Sequence, residues 1–158
     1  SVGTDIIDTG KGNDVIDGGN GLDRIFGGNG NDIINGGNGP DILDGGGGSD
    51  IINGGNGNDT IEGGGGRDQI NGGAGKDTLT GGAGQDQFIF DFGDFGPIDE
   101  ITDFTSGHDK IIIQGIGQSD TEPTIEYNSA NGIVKVNGQA FVKLDENLDI
   151  DDDDFMIM

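Results

Sequence analysis

The chain has 158 residues, of which 36 are glycine and 30% are hydrophobic, and 30 Asp+Glu against 7 Lys+Arg give it a formal charge of -23. That composition excludes an ordinary packed core and, without another organising force, reads as disordered. The charge excludes nucleic-acid backbones and anionic membrane surfaces as partners and favours cations. There is no apolar run of helix length to insert into a membrane and no cysteine for disulfides or thiolate metal sites.

The amino end, "SVGTDIIDTG", has neither the basic nor the apolar part of a secretory signal peptide and no starting methionine, so the chain is expected to be a piece of a longer protein. A strict repeat follows at once. Asp5, Asp14, Asp23, Asp32, Asp41, Asp50, Asp59, Asp68, Asp77 and Asp86 stand nine residues apart without an insertion. Two residues after each comes a large apolar residue, from Ile7 and Ile16 through Leu79 and Phe88, and two before each a glycine, from Gly3 through Gly84. The unit is GGxGxDxUx with U apolar, and a fixed short period of this kind signals a solenoid.

Within a unit, "xUx" alternates out, in, out, as a short half-buried strand does, which leaves six residues, "GGxGxD", for a turn. Glycine allows positive φ there, and Asn at the third place tolerates left-handed backbone. Two strands and two turns close one coil of eighteen residues, so ten units give about five coils in a rod roughly 24 Å long. Each aspartate then lies above a like charge in the next coil. A hard dication resolves this repulsion, because calcium takes six to eight oxygen ligands from carboxylates and carbonyls.

The nonapeptide resembles the calcium-binding repeat of the RTX (repeats-in-toxin, hemolysin-type) family. That resemblance implies an all-β fold, a right-handed parallel β-roll over residues 1–90 with a C-terminal β-sandwich-like cap over 91–158. It also implies one calcium ion between the turns of units n and n+2, about eight internal sites in all. One turn would offer carbonyls at its second and fourth places and the other at its first and third, with both sixth-place aspartates. One site then reads Gly28, Gly30 and Asp32 with Gly45, Gly47 and Asp50. Over all units the implied carbonyl positions are Gly18, Gly27, Gly36, Gly45, Gly54, Gly63, Gly72 and Gly81 at the first place. Gly10, Gly19, Gly28, Gly37, Gly46, Gly55, Gly64 and Gly73 hold the second. Asn20, Asn29, Asn38, Gly47, Asn56, Gly65, Ala74 and Ala83 hold the third. Gly3, Gly12, Gly21, Gly30, Gly39, Gly48, Gly57, Gly66 and Gly75 hold the fourth. Eight dications would bring the charge from -23 to about -7, an ordinary value for a soluble domain.

Two outward columns are readable. Asn35, Asn53 and Asn71 recur every eighteen residues as either a hydrogen-bonded ladder or a solvated polar face. Val15, Ile33 and Ile51 should form an exposed apolar stripe, either docking an upstream domain or simply chosen for strand propensity.

After Phe88 the period stops, and "FIFDFGDFGPIDEITDFTSGHDKIIIQGIG" can supply the apolar cover a solenoid end needs. "DEITDFTSGHDKI", Asp99 to Ile111, is similar to the DxIxDFxxGxDKI segment after the roll of serralysin-type proteases and of alginate-epimerase R-modules. That resemblance implies a terminal calcium held by Asp94 and Asp99. Asn131-Gly132 and Asn137-Gly138 mark the turns of a β-meander. "DENLDIDDDDFMIM" alternates acids like an EF-hand loop but lacks the glycine and the terminal glutamate, so it is rejected as one. Its ending, Asp154 followed by Phe155, Met156, Ile157 and Met158, resembles an uncleaved type I secretion signal.

No catalytic constellation is apparent. His108 is the only histidine and falls in a predicted surface loop, a protease-like zinc site needs more ligands, and the GxGxxG-like strings have no helix to open. The expected function is therefore that of a non-enzymatic module of a larger bacterial protein, secreted to the extracellular side. Calcium would fold it there, and its C-terminus would engage the ABC transporter complex of a type I secretion apparatus. The alternatives are a glycan-binding accessory domain like the R-modules, disfavoured by seven basic residues and no tryptophan, or a surface-layer or adhesin segment.

Overall fold

The computed structural model describes residues 2–92, 96–116, 123–145 and 148–158. Ten strands come from the repeats: β1 (Ile6–Asp8), β2 (Val15–Asn20), β3 (Arg24–Asn29), β4 (Ile33–Asn38), β5 (Ile42–Gly48), β6 (Ile51–Asn56), β7 (Thr60–Gly66), β8 (Gln69–Ala74), β9 (Thr78–Gly84) and β10 (Gln87–Asp91). Odd-numbered strands stack in one parallel sheet and even-numbered strands in the other. The register is eighteen residues throughout, as in Ile33↔Ile51 and Ile34↔Ile52. The chain is thus a parallel β-solenoid of about five coils, as the spacing of the aspartates predicts.

β1 has the three residues expected, but the later strands are longer. β2 to β9 run on through both glycines to the third or fourth place, so that Gly37↔Gly55 and Asn38↔Asn56 still pair. The reason lies in the two glycines. Gly36 is buried and turns inward, while Gly37 takes φ 107, so the strand bends around the edge of the coil without leaving the ladder. The expected use of asparagine for left-handed backbone is not found in the roll. Among the described residues the one non-glycine with positive φ is Asn137, at 52.

Inside the coils one apolar residue per unit forms a continuous column, Ile16 and Ile25 through Leu79 and Phe88, all buried, with Ile7 half-buried at the open end. Val15, Ile33 and Ile51 stack outside as an exposed stripe, as expected.

Both sheets continue past the repeats. β11 (Asp99–Ile101) pairs with β9 and β12 (Lys110–Gln114) with β10, both parallel. β13 (Ile125–Asn128), β14 (Ile133–Val136) and β15 (Gln139–Lys143) then form an antiparallel meander whose last strand lies on β11. The β14–β15 turn has Asn137 and Gly138 at φ 52 and 80, the two positive values a type I′ hairpin needs. β16 (Phe155–Ile157) adds a final parallel strand on β12. Phe88 meets Phe104 across the end of the roll at 6.3 Å, and Phe90 meets Phe141 edge-on at 5.2 Å. Among the described residues no helix is long and apolar enough to cross a membrane.

Candidate metal centre

The repeat aspartates form two columns, one along each edge of the roll. In the first, the backbone N–H of Asp5 donates to Asp23 Oδ1 at 2.7 Å, Asp23 to Asp41, Asp41 to Asp59 and Asp59 to Asp77. The second links Asp14, Asp32, Asp50, Asp68 and Asp86 in the same way, at 2.8 to 3.0 Å. Each bond fixes a carboxylate against the coil before it and aims the other oxygen into the edge. That second oxygen, Oδ2, is buried and without a hydrogen-bond partner on Asp14, Asp23, Asp32, Asp41, Asp50, Asp59, Asp68, Asp77 and Asp86.

Carbonyls face the same spaces. A Cβ on Gly27 would lie 2.5 Å from Asp32 Oδ2 and 2.8 Å from Gly45 O, so both oxygens border the room that only glycine leaves open. The arrangement recurs at Gly18, Gly36, Gly45, Gly54 and Gly63. Of the donors expected for one site, Asp32 Oδ2 and the Gly45 carbonyl border the Gly27 space, while Asp50 Oδ2 borders the next space, at Gly45. The Gly28 and Gly30 carbonyls point at Gly46 and Gly48 of the next coil, where Cβ atoms would lie 2.1 and 1.8 Å away. Gly47 O accepts the Gly30 N–H at 2.7 Å, and the third-place carbonyls of Asn20, Asn29, Asn38, Asn56 and Ala74 are engaged likewise.

Burial without a partner is expensive for a carboxylate. Desolvation is the largest influence on this set, followed by opposing backbone hydrogen bonds and, except at Asp77, by the charge of neighbouring aspartates. It pushes Asp59 up to about 7 and Asp68 to about 6, and raises Asp41, Asp50, Asp77 and Asp86. Among the described residues no three His, Cys, Asp or Glu converge, so a cation here must draw on carbonyl oxygens beside the paired carboxylates. Orphaned carboxylate oxygens with carbonyls at hand fit a hard, oxygen-seeking dication.

The columns extend beyond the repeats. Asp77 N–H donates to Asp99 Oδ1 at 2.8 Å and Asp86 N–H to Asp109 Oδ1 at 3.0 Å. Asp99 is raised to about 7, again chiefly by desolvation. Asp109 falls outside the nine-residue register, yet its signal is in the sequence: "DEI" and "DKI" keep the D-x-U triplet, and Ile101 and Ile111 are fully buried in register with Leu79 and Phe88. Asp103 falls outside that register too, and its carboxylate accepts the N–H groups of Gly81 and Gly82 at 2.9 and 2.7 Å. Asp94 lies outside the described residues. His108 is exposed.

The Asn35, Asn53 and Asn71 column is loosely bonded. Asn35 donates to Asp17 at 3.2 Å, and both Asn53 to Asn35 and Asn71 to Asp91 reach 3.5 Å. The tight ladder is Asn20, Asn38 and Asn56 at the third place, at 2.7 and 2.8 Å.

A parallel roll with two columns of in-register buried aspartates and glycine turns defines a cation-binding repeat module. The RTX calcium-binding nonapeptide repeat model matches three overlapping stretches, residues 1–34, 26–61 and 53–88, more than half of the chain, and the chain belongs to that family. It is therefore a calcium-binding repeat module of a family typical of secreted, extracellular proteins. Among solved structures, the AlgE6R3 subunit of the Azotobacter vinelandii mannuronan C5-epimerase aligns with 22% identity over 99% of this chain and 80% of that one. Its TM-score of 0.35 is too low to carry an inference. No curated protein matches the chain.

Proposed function

We propose that this module is a folding switch for a larger secreted protein. Residues 1–90 would bind about eight internal calcium ions between units n and n+2, and residues 91–158 would cap the roll. The observation that carries this reading is the set of nine buried Oδ2 atoms without a partner. Uncompensated, the two carboxylate columns oppose the fold that holds them; calcium, when bound, supplies the positive charge and accepts the free oxygens. The chain's own contribution is alignment: each Asp N–H holds the next carboxylate in register, and each first-place glycine keeps the space clear.

At low cytosolic calcium the chain would stay unfolded and able to thread an export channel. At the millimolar concentrations where extracellular calcium modules bind, it would fold. The acidic-then-apolar ending, Asp154 to Met158, would be the element that the ABC transporter complex of a type I apparatus reads. An upstream domain would be the cargo, and the module itself has no catalytic part in this reading.

Far-UV circular dichroism during stepwise addition of calcium to chelated protein tests the switch. A coil spectrum that turns into a β spectrum, with about eight ions bound at saturation, is expected. A β spectrum that persists in excess EDTA at pH 7.5 would falsify it.

A further inference from the structure

Asp109 ends its column differently from the repeat aspartates. Its Oδ1 accepts the Asp86 N–H, as the carboxylates of Asp32, Asp50, Asp68 and Asp86 accept the N–H of the aspartate before them, but its Oδ2 accepts the N–H of Thr105 at 2.8 Å. No oxygen of this buried side chain is left without a partner. The Thr105 carbonyl in turn accepts the N–H groups of Asp109 and His108 at 2.9 and 3.1 Å, closing the 105–109 turn on itself.

The other side of that turn holds the chain terminus. Ser106 Oγ and Gly107 N–H donate to the two oxygens of Asp154, at 2.9 and 2.8 Å, and the Asp151 N–H adds a third bond at 3.1 Å. Asp154 is fully buried. Ser106 Oγ shares its single proton between that carboxylate and Asp149 O, 2.6 Å away, and Lys110 Nζ donates to Asp153 O. Immediately after Asp154 comes β16, followed by the Met158 N–H bonded to Ile113 O at 2.9 Å.

β16 has three residues, of which Phe155 packs partly buried against the core while Met156 and Ile157 remain 46% and 41% exposed. Beyond Phe155, little burial holds this edge strand in place.

We infer that Asp109 closes its carboxylate column with a protein N–H in place of a cation, and that the turn it fixes latches the C-terminal strand through Asp154. Order in the last coil is thereby passed to the chain terminus. If the coil carrying Asp86 is unformed, Asp109 loses its Oδ1 donor, and keeping it buried half-paired with no cation beside it becomes costly. The turn then opens, Asp154 loses Ser106 and Gly107, and β16 leaves with it. This rests on the calcium-dependent folding proposed above and adds to it that the terminal segment is accessible in the unfolded chain and withdrawn in the folded one.

The test is amide hydrogen exchange over the full chain, with bound calcium counted by equilibrium dialysis, for the wild type, Asp109→Asn and Asp154→Asn. With calcium, the Met158 amide of the wild type should be protected. Asp154→Asn should raise its exchange at least tenfold while leaving calcium count and protection in β2–β9 unchanged. Asp109→Asn should do the same at the terminus and also keep the wild-type calcium count. Loss of one ion per chain in Asp109→Asn would make Asp109 a ligand and overturn the closure. Wild-type protection of Met158 in Asp154→Asn would overturn the latch, and that variant decides alone if Asp109→Asn does not fold. Protection of β2–β9 in EDTA would instead sink the calcium switch, and the latch would then stand or fall on the two variants in calcium.

Discussion

The roll and the C-terminal region solve the same electrostatic problem in opposite ways. In residues 2–92 a repeat carboxylate receives one backbone N–H and keeps one oxygen without a partner. In residues 96–158 the carboxylates of Asp103, Asp109 and Asp154 have protein donors for both oxygens. The cores differ in parallel. The roll buries one apolar side chain per nine residues, whereas the terminal region concentrates Phe104, Ile111, Ile113, Val134, Val136, Phe141, Val142 and Leu144. Regular spacing of identical turns leaves no room for a different donor at each rung, so a repeated site calls for an exogenous ion. An irregular segment can bring dedicated donors to particular acids, as at Asp103, Asp109 and Asp154.

Acidity should separate the two regions most. Without metal, the folded roll holds protons more tightly than the unfolded chain, because Asp59 and Asp68 titrate at about 7 and 6 against a free value of 3.8. Protonation therefore favours the metal-free roll. That stabilisation is complete below 3.8 and is lost as pH rises through about 6 to 7. In EDTA, β signal in circular dichroism should grow as pH falls from 7.5 to 4. Protons and calcium compete for the same carboxylates, so bound calcium should fall over the same range.

Asp154 has the opposite sign. Burial works to raise it, but the N–H groups of Gly107 and Asp151, Ser106 Oγ and the Lys110 charge outweigh that and hold it below the usual carboxylate value. Its contribution is present above 3.8 and lost as pH drops through the folded value. Protection at Met158, taken relative to the intrinsic exchange rate at each pH, should thus fall in strong acid while the metal-free roll tightens. A metal-free roll at its weakest near pH 4 would contradict the burial of the repeat carboxylates.

A smaller effect separates the two faces of one strand. Ile52 is 1% exposed in the inner column, and Ile52→Ala should cost about 2 to 5 kcal/mol in calcium-saturated denaturant melts. Ile51 is half-exposed on the outer stripe, and Ile51→Thr should stay within about 0.5 kcal/mol. Equal costs would mean that the outer stripe is covered in solution.

The nine-residue aspartate spacing carried the coil and its eighteen-residue register, because alternation along a strand and glycine in a turn are local constraints that repeat themselves. Strand length was not legible. A glycine pair ordinarily ends a strand, and here Gly36 and Gly37 stay in the sheet because the neighbouring coils pair with the same bend. Asp109 was hidden by a change of spacing, from 18 to 23 residues, although its D-x-U triplet persisted. Ser106 and Asp154 lie 48 residues apart with no pattern linking them, so Asp154 read only as part of a terminal signal. The tight asparagine ladder formed at the third place because Asn38 falls directly between Asn20 and Asn56 where the sheets turn the edge.

The finest distinction lies between two glycines of the roll. Gly36 sits where a Cβ would come within 2.6 Å of both Asp41 Oδ2 and Gly54 O, neither of which can move without breaking the column. Gly36→Ala should therefore cost about 1 to 3 kcal/mol and weaken calcium binding. Gly65 has no atom within 4 Å of its Cβ position and no positive φ, and it pairs with Ala83 of the next coil, where the same place already carries a methyl group. Gly65→Ala removes freedom from the unfolded chain without straining the folded one, and should raise stability by about 0.4 to 1 kcal/mol. Denaturant midpoints at saturating calcium measure both. Destabilisation by Gly65→Ala would show that its carbonyl needs a backbone shift which the methyl prevents, making the third place as restricted as the first.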